Sequence, residues 1–500
     1  MNDSSITPEA RPSPGEGGLL LRNFSLSLTS KLVSLAAQVV YVMMTARLFP
    51  KEDVAVLAVA GITTMIMDVV KGLGLGTMLL KRLPQFSSDD GKEARTLVRT
   101  YLFYSFLPPL AMAMAGLALP HSVRHTLFGA AARHDTFQMG LLMSLFTVLS
   151  NSNILVLQAS QRFGHLAALT MLTAALPRLV PCLVAAALGV SLETFLDWSV
   201  AATGLACVAT CWPLRSYLRG VWTPLLTRQE FWPESRHYYF TALLRYGATQ
   251  VDQLLVAALF SPATLAVYFM LRRLYSIGVV LIGSMIDALV PELSQQAVDD
   301  LAGARRRLAE WSRISIFAGS TGAAVLAGNG SAVIALLLGP SYGEDSLLIA
   351  LFAASTALYF LYCLVQVDLM LFHESDKILW MAAATAAANL IAGPAVAPWL
   401  GVHSIPLAML GGYLFGLAAA RWKNSRMIVP RPVWRIRELA IGLTVVTLAS
   451  IAPLAARHFL PDGPWERVVA INLLIVLLAL AHSWQSRVGD SVRRLVQPAG

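Results

Sequence analysis

The chain has 500 residues, 56% of them hydrophobic and 13% charged, with a net charge of +9 and a mean hydropathy of +0.62. A soluble protein carries about 25% charged residues, so this composition excludes an ordinary water-soluble fold and points to a core that faces lipid. A positive charge of this size suits nucleic acid only where the basic residues gather on one surface.

The first 21 residues are rich in Pro, Gly, Ser and Glu and are expected to form a disordered tail. No short apolar core with a small-residue cleavage site is visible, so insertion is expected to use the first spanning helix. A spanning helix needs about 20 mostly apolar residues. The sequence predicts fourteen: 22–48, 53–77, 98–119, 137–159, 165–189 and 192–213; then 238–260, 263–289, 314–338, 346–372, 377–399 and 404–421; then 438–456 and 467–484. The fold class is therefore an all-α polytopic membrane protein. Two six-helix lobes are expected at 22–213 and 238–421, joined by a linker at 214–237. A basic linker at 422–437 leads to a C-terminal helix pair at 438–486 and a tail at 487–500.

Residues 30–85 and 241–296 share one layout, two apolar runs around a turn followed by a polar segment. Shifting one by 211 residues superposes Phe49 on Phe260, Gln85 on Gln296, Asp89 on Asp300 and Arg95 on Arg306. Two similar halves in an apolar chain are the mark of a transporter built from repeats. Loop charge gives the orientation. With the connections numbered alternately, the side of the N-terminus holds 26 Lys and Arg and the other side 5. Both termini are therefore expected in the cytoplasm, and the positive charge is topological, which argues against nucleic acid. Segments 78–97 and 290–312 are matching amphipathic stretches, expected as short surface helices. The basic linker is expected on anionic lipid.

Charges within hydrocarbon are costly and face a cavity or a partner. Ser27, Lys31, Ser34, Gln38, Tyr41 and Thr45 form one face of the first helix, and Thr241, Arg245, Thr249 and Asp252 one face of the seventh. The shift of 211 places Ser34, Gln38 and Tyr41 on Arg245, Thr249 and Asp252. Both faces are expected to line a central cavity, with the seventh helix carrying more of the site than the first. Arg178 lies between Pro177 and Pro181, where a kink is expected to free carbonyls and present the guanidinium. Tyr268, Arg272 and Tyr275 share a face beside Arg273, and Thr147, Asn151 and Gln158 add polarity to the fourth helix. Candidate substrate-binding residues are Lys31, Arg178, Arg245, Arg272, Gln38 and Thr249. Asp252, Asp368 and Asp68 are candidates for coupling H+ or Na+, or for neutralising the arginines. Deep cations outnumber deep acids, which suits an anionic substrate such as a phosphate or pyrophosphate.

Other motifs lose their chemical meaning in context. Gly72, Gly74 and Gly76 end an apolar helix with no strand before them, as close helix packing requires, and no P-loop is present. Cys182, Cys207, Cys211 and Cys363 lie in apolar runs as small filler. No catalytic constellation, metal site or cofactor is expected.

The chain resembles the Wzx-type polysaccharide flippases of the MATE-like multidrug/oligosaccharidyl-lipid/polysaccharide exporter superfamily. The resemblance runs through residues 46–50 (ARLFP), 72–76 (GLGLG) and 83–85 (LPQ). In the second half it rests on Pro262, Tyr268, Arg272 and residues 291–294 (PELS), and it covers about 20–425. It implies movement of an undecaprenyl-pyrophosphate-linked oligosaccharide across the bacterial inner membrane by alternating access. Membrane lipids would be partners, as would a polysaccharide polymerase and glycosyltransferases. A lipid II flippase or a drug/cation antiporter of the same fold are the alternatives, and a polytopic enzyme of polysaccharide assembly is a remote one. The antiporter would call for an acid-dominated cavity.

Overall fold

The computed structural model describes residues 16–83, 91–160, 162–218, 225–371, 375–424, 441–442, 444–445, 447–448, 464–486, 488–489 and 491. Its helices are α1 (Glu16–Leu48), α2 (Lys51–Val70), α3 (Leu75–Arg82), α4 (Gly91–Leu117), α5 (His121–Phe128), α6 (His134–Ala159), α7 (Phe163–Leu188), α8 (Leu192–Cys211) and α9 (Arg215–Leu218). The second half holds α10 (Arg228–Thr249), α11 (Val251–Leu259), α12 (Pro262–Asp299), α13 (Leu301–Leu338), α14 (Ser346–Leu371), α15 (Ser375–Ala387), α16 (Gly393–Leu400), α17 (Ser404–Asn424) and α18 (Pro464–Ser486). Among the described residues, ten stretches are long and apolar enough to cross a membrane. One of them, Lys377–Ala420, is a hairpin in which α15 and α16 pack back on α17. The expected thirteenth helix, 438–456, falls largely outside the described residues.

Each half is built by the same packing. α1 lies on α7 as α10 lies on α15. α2 lies on α6 as α12 lies on α14, and α6 and α7 hold α8 as α14 and α15 hold α17. The turn between the first two helices also repeats. Phe49 N–H donates to Thr45 O at 3.2 Å, and Phe260 N–H donates to Val256 O at 3.0 Å. A proline stands at the start of the next helix, as the N-cap of α2 (Pro50) and as the first residue of α12 (Pro262). The second turn is the better capped, because the Ser261 side chain accepts from Thr264 N–H.

Four expectations are corrected. α1 begins at Glu16, so the predicted tail over 1–21 is shorter. The segment 290–312 does not form a separate surface helix: α12 and α13 run 38 residues each and meet at Asp300, whose side chain caps Gly303 N–H at 2.8 Å. Likewise, residues 91–97 are the opening turns of α4, although α3 is a short helix of its own. The predicted helix 238–260 breaks at Gln250 (φ −133°, ψ −17°) into α10 and α11. The carbonyls freed by the break find donors. Asn389 Nδ2, in a π-helical turn over Ala388–Ala392, donates to Ala248 O at 2.7 Å, and Arg272 Nη2 donates to Thr249 O.

The lobes meet at three levels. At the face nearer the N-terminus, Gly74 (φ +82°) packs against the α10 backbone, where an added Cβ would lie 2.3 Å from Ser235 O. Midway, α2 crosses α12. At the opposite face, Arg47 Nε donates to Leu337 O at 3.2 Å, and Lys51 Nζ donates to Ser341 O at 3.0 Å. The first satisfies a carbonyl left over at the end of α13, and the second one in the turn that follows it. The C-terminal α18 is held to α13 by an Asn329–Asn472 amide pair and a Ser320–His482 bond at 3.2 Å, polar glue between apolar helices.

Candidate functional site

A cavity of about 240 Å³ lies within the first lobe. Tyr41 of α1, Leu57, Gly61 and Thr64 of α2, and Thr147, Ser150 and Asn151 of α6 contribute to its wall. Thr173 and Arg178 of α7, with Ser199 and Thr203 of α8, contribute the remainder of the polar wall from this lobe. One residue comes from the second lobe: Arg273 of α12. Among the described residues, the wall contains two arginines and no carboxylate.

The hydroxyls are mostly committed as donors. Thr147 donates to Met143 O, Ser150 to Phe146 O, Thr173 to Leu169 O, Ser199 to Phe195 O and Thr203 to Ser199 O, at 2.6–2.9 Å. Each closes on a carbonyl four residues earlier, the usual outlet for a hydroxyl inside a helix. What remains for the cavity is oxygen lone pairs, which accept from water or sugar hydroxyls. Donors to an anion come instead from the guanidiniums. Arg178 Nη1 reaches back to Ala174 O at 3.4 Å, and the Arg273 guanidinium lies 4.9 Å from the Phe269 ring centroid. Neither arginine forms an ion pair within the described residues. α7 runs through Pro177 and Pro181 as one helix, so Arg178 is presented by a continuous helix.

In the second lobe the charges cancel. Asp252 is 2% exposed and Arg272 is 5% exposed. Asp252 Oδ2 accepts from Arg272 Nε at 2.8 Å and from Tyr268 OH at 2.8 Å. The guanidinium of Arg272 also lies 4.5 Å from the Tyr275 ring centroid, and Tyr275 OH meets Tyr413 OH at 3.3 Å. The space that is hollow in the first lobe is here filled with tyrosines and an ion pair.

The structure sorts the predicted residues. Arg178 lines the cavity; Arg272 does not, being spent on Asp252. Gln38 is buried on α1 and Lys31 is half-buried there, both outside the cavity wall. Thr249 ends α10, its carbonyl held by Arg272. Arg245 lies in α10, but its side chain is outside the described residues. Among the acids, Asp68 is 44% exposed and pairs with Lys71, while Asp368 pairs with Arg305 at 3.3 Å. Among the described side chains, Tyr41 of α1 is in the wall and none of α10 or α11 is. After the break at Gln250, Asp252 lies in the second lobe's core. The four cysteines also divide, with Cys182 and Cys207 buried, Cys363 half-buried and Cys211 exposed.

Sequence reasoning missed Ser150, Thr173, Ser199 and Thr203. The spacing of Ser199 and Thr203, four apart on one helix, was the available signal.

A family model described as polysaccharide biosynthesis protein matches residues 44–346. Comparison with curated proteins gave no match. Among solved structures, the fold matches the lipid II flippase MurJ in its inward closed conformation with a TM-score of 0.67 and 14% identity, covering 95% of this chain and 99% of that one. An inward-facing multidrug resistance MATE family transporter of the MOP superfamily matches at TM-score 0.59 and 13% identity, over 79% and 94% of the two chains. A MOP superfamily transporter from Pyrococcus furiosus, whose binding pocket is described as reversed in polarity, matches at 0.52 and 14%, over 81% and 95%. At such identities the likeness is one of fold. With its two repeated lobes and its family match, the chain belongs to the polysaccharide biosynthesis protein family and is a multi-pass membrane protein with the flippase and transporter fold of the MOP superfamily.

Proposed function

We propose that the protein moves an undecaprenyl-pyrophosphate-linked oligosaccharide repeat unit across the bacterial inner membrane by alternating access of its two lobes, for surface polysaccharide assembly. One observation carries this: Arg178 and Arg273, from different lobes, line one cavity whose wall, among the described residues, holds no carboxylate. A fixed cation in a low-dielectric site offsets the desolvation of an anion, and guanidinium donors match phosphate oxygens. Ligand pockets for drug-sized molecules run from about 300 to 1,000 Å³, so a cavity of about 240 Å³ suits a phosphate-bearing headgroup rather than a whole glycolipid. The lone pairs of the wall hydroxyls suit the first sugar. Orientation rests on loop charge, 26 against 5, which places the termini in the cytoplasm. Glycosyltransferases would supply the substrate and a polymerase would consume it. An arginine already fills the cation position at Asp252, which supports neutralisation of Arg272 rather than exchange of H+ or Na+ there.

Complementation of a strain lacking the protein tests the proposal. Arg178→Ala and Arg273→Ala are expected to abolish surface polysaccharide at normal membrane protein levels. Normal polysaccharide from both variants would sink it.

A further inference from the structure

The repeat differs in bulk along one face of the two helices that cross between the lobes. α2 and α12 begin at Lys51 and Pro262, the same 211 residues apart as the halves. That register sets Leu57, Gly61 and Thr64 where the second lobe has Tyr268, Arg272 and Tyr275. The three larger side chains fill the second lobe around Asp252. The three smaller ones all line the first lobe's cavity. Gly61 stands at the crossing itself. A Cβ there would meet Phe269 Cε2 at 3.1 Å and Arg273 Nη2 at 3.2 Å, and the atoms it would meet are side-chain ends from the other lobe.

We infer that Gly61 is a positioning residue: its missing side chain is the notch through which Arg273 of the second lobe reaches the first lobe's cavity, so that an anion held between Arg178 and Arg273 joins the two lobes. This rests on the cavity being the headgroup site. Two guanidiniums in one confined space repel each other, and no acid among the described residues of the wall relieves them. A phosphate or pyrophosphate group between them turns the repulsion into two charge-assisted contacts, one per lobe. The bound anion therefore favours the arrangement in which α2 and α12 touch at Gly61, and its release frees them to part. A ligand shifts such an equilibrium only by its differential affinity for the two arrangements, and a site split between lobes supplies that difference.

The test titrates purified protein with inorganic pyrophosphate at constant ionic strength and follows thermal stability. Wild type is expected to bind saturably, with Arg178→Gln and Arg273→Gln each at least tenfold weaker. Gly61→Ala, whose methyl meets flexible side-chain ends, is expected to weaken binding a few-fold, and Gly61→Val at least tenfold. Introduced on top of Arg273→Gln, Gly61→Val is expected to cause no further loss, because it acts through that arginine. Wild-type affinity in Gly61→Val, or an equal further loss in the double variant, overturns the positioning role while leaving the headgroup site intact. Absence of pyrophosphate binding by wild type, or wild-type affinity in both arginine variants, overturns the headgroup site and the positioning role with it.

Discussion

Arg272 and Arg273 are neighbours in α12, yet they serve opposite lobes. Arg272 turns into its own lobe and is neutralised by Asp252, with Tyr268, Tyr275 and the Thr249 carbonyl around it. Arg273, about 100° further round the helix, crosses the interface into the other lobe's cavity, where no acid among the described residues meets it. The second lobe has thus kept the repeated scaffold and filled its centre, while the first has kept the scaffold and left a hollow. The ion pair of Asp252 and Arg272 closes the second lobe's centre, and Arg178 and Arg273 line the first lobe's hollow.

The largest expected effect comes from breaking the closed pair. Asp252→Ala leaves Arg272 buried without its acid, a loss of about 3–5 kcal/mol. Folded protein in detergent extracts should fall sharply. Replacing both partners, Asp252→Leu with Arg272→Met, should recover most of it, because a buried pair can be exchanged for apolar residues of similar volume. If Asp252→Ala melts like wild type, the pair is not structural. Next, Gly74→Ala sets a Cβ against the Ser235 carbonyl at a positive φ, where strain of about 1–3 kcal/mol is expected. A lowered melting temperature would register it.

Smaller effects should appear at the hollow. Thr203→Val removes a hydroxyl that bonds within its own helix, so stability should change by less than about 1 kcal/mol, with transport slowed a few-fold through loss of an acceptor in the wall. A transport rate equal to wild type would show that this hydroxyl is packing alone. Smallest is Glu230, at the start of α10, where its carboxylate accepts from Thr227 N–H while the Thr227 hydroxyl accepts from Glu230 N–H in a capping box. The bond from Thr227 N–H holds its pKa below the ordinary 4.5. The stabilisation is therefore present above that value and lost as pH falls through the lower, folded-state one. Glu230→Gln should flatten the acid limb of the stability profile, and an unchanged limb would remove the cap as its source.

Much of this fold was legible because hydropathy alone marks helices that cross lipid, and because the landmarks at Phe49 and Phe260 fix the repeat without a gap. The break at Gln250 was not, since no proline stands there and its freed carbonyls depend on Asn389 and Arg272, which are 141 and 23 residues away from their acceptors. Of the site, Arg178, Tyr41, Thr147 and Asn151 were visible as polar residues inside apolar helices. The choice between Arg272 and Arg273 was not, because both are equally deep in the sequence and only the rotational phase of α12 decides which lobe each one faces. Gly61 carried no chemical signal until the structure set Arg273 against it.

The most direct measurement is translocation itself. Proteoliposomes carrying a pyrophosphate-linked polyprenyl oligosaccharide in one leaflet would be followed for its appearance in the other. Wild type is predicted to move it, and Arg178→Gln and Arg273→Gln, reconstituted at the same density, to fall below about a tenth of that rate, as expected for loss of one charge-assisted contact of about 1.5–3 kcal/mol. Both variants translocating at the wild-type rate would contradict the account.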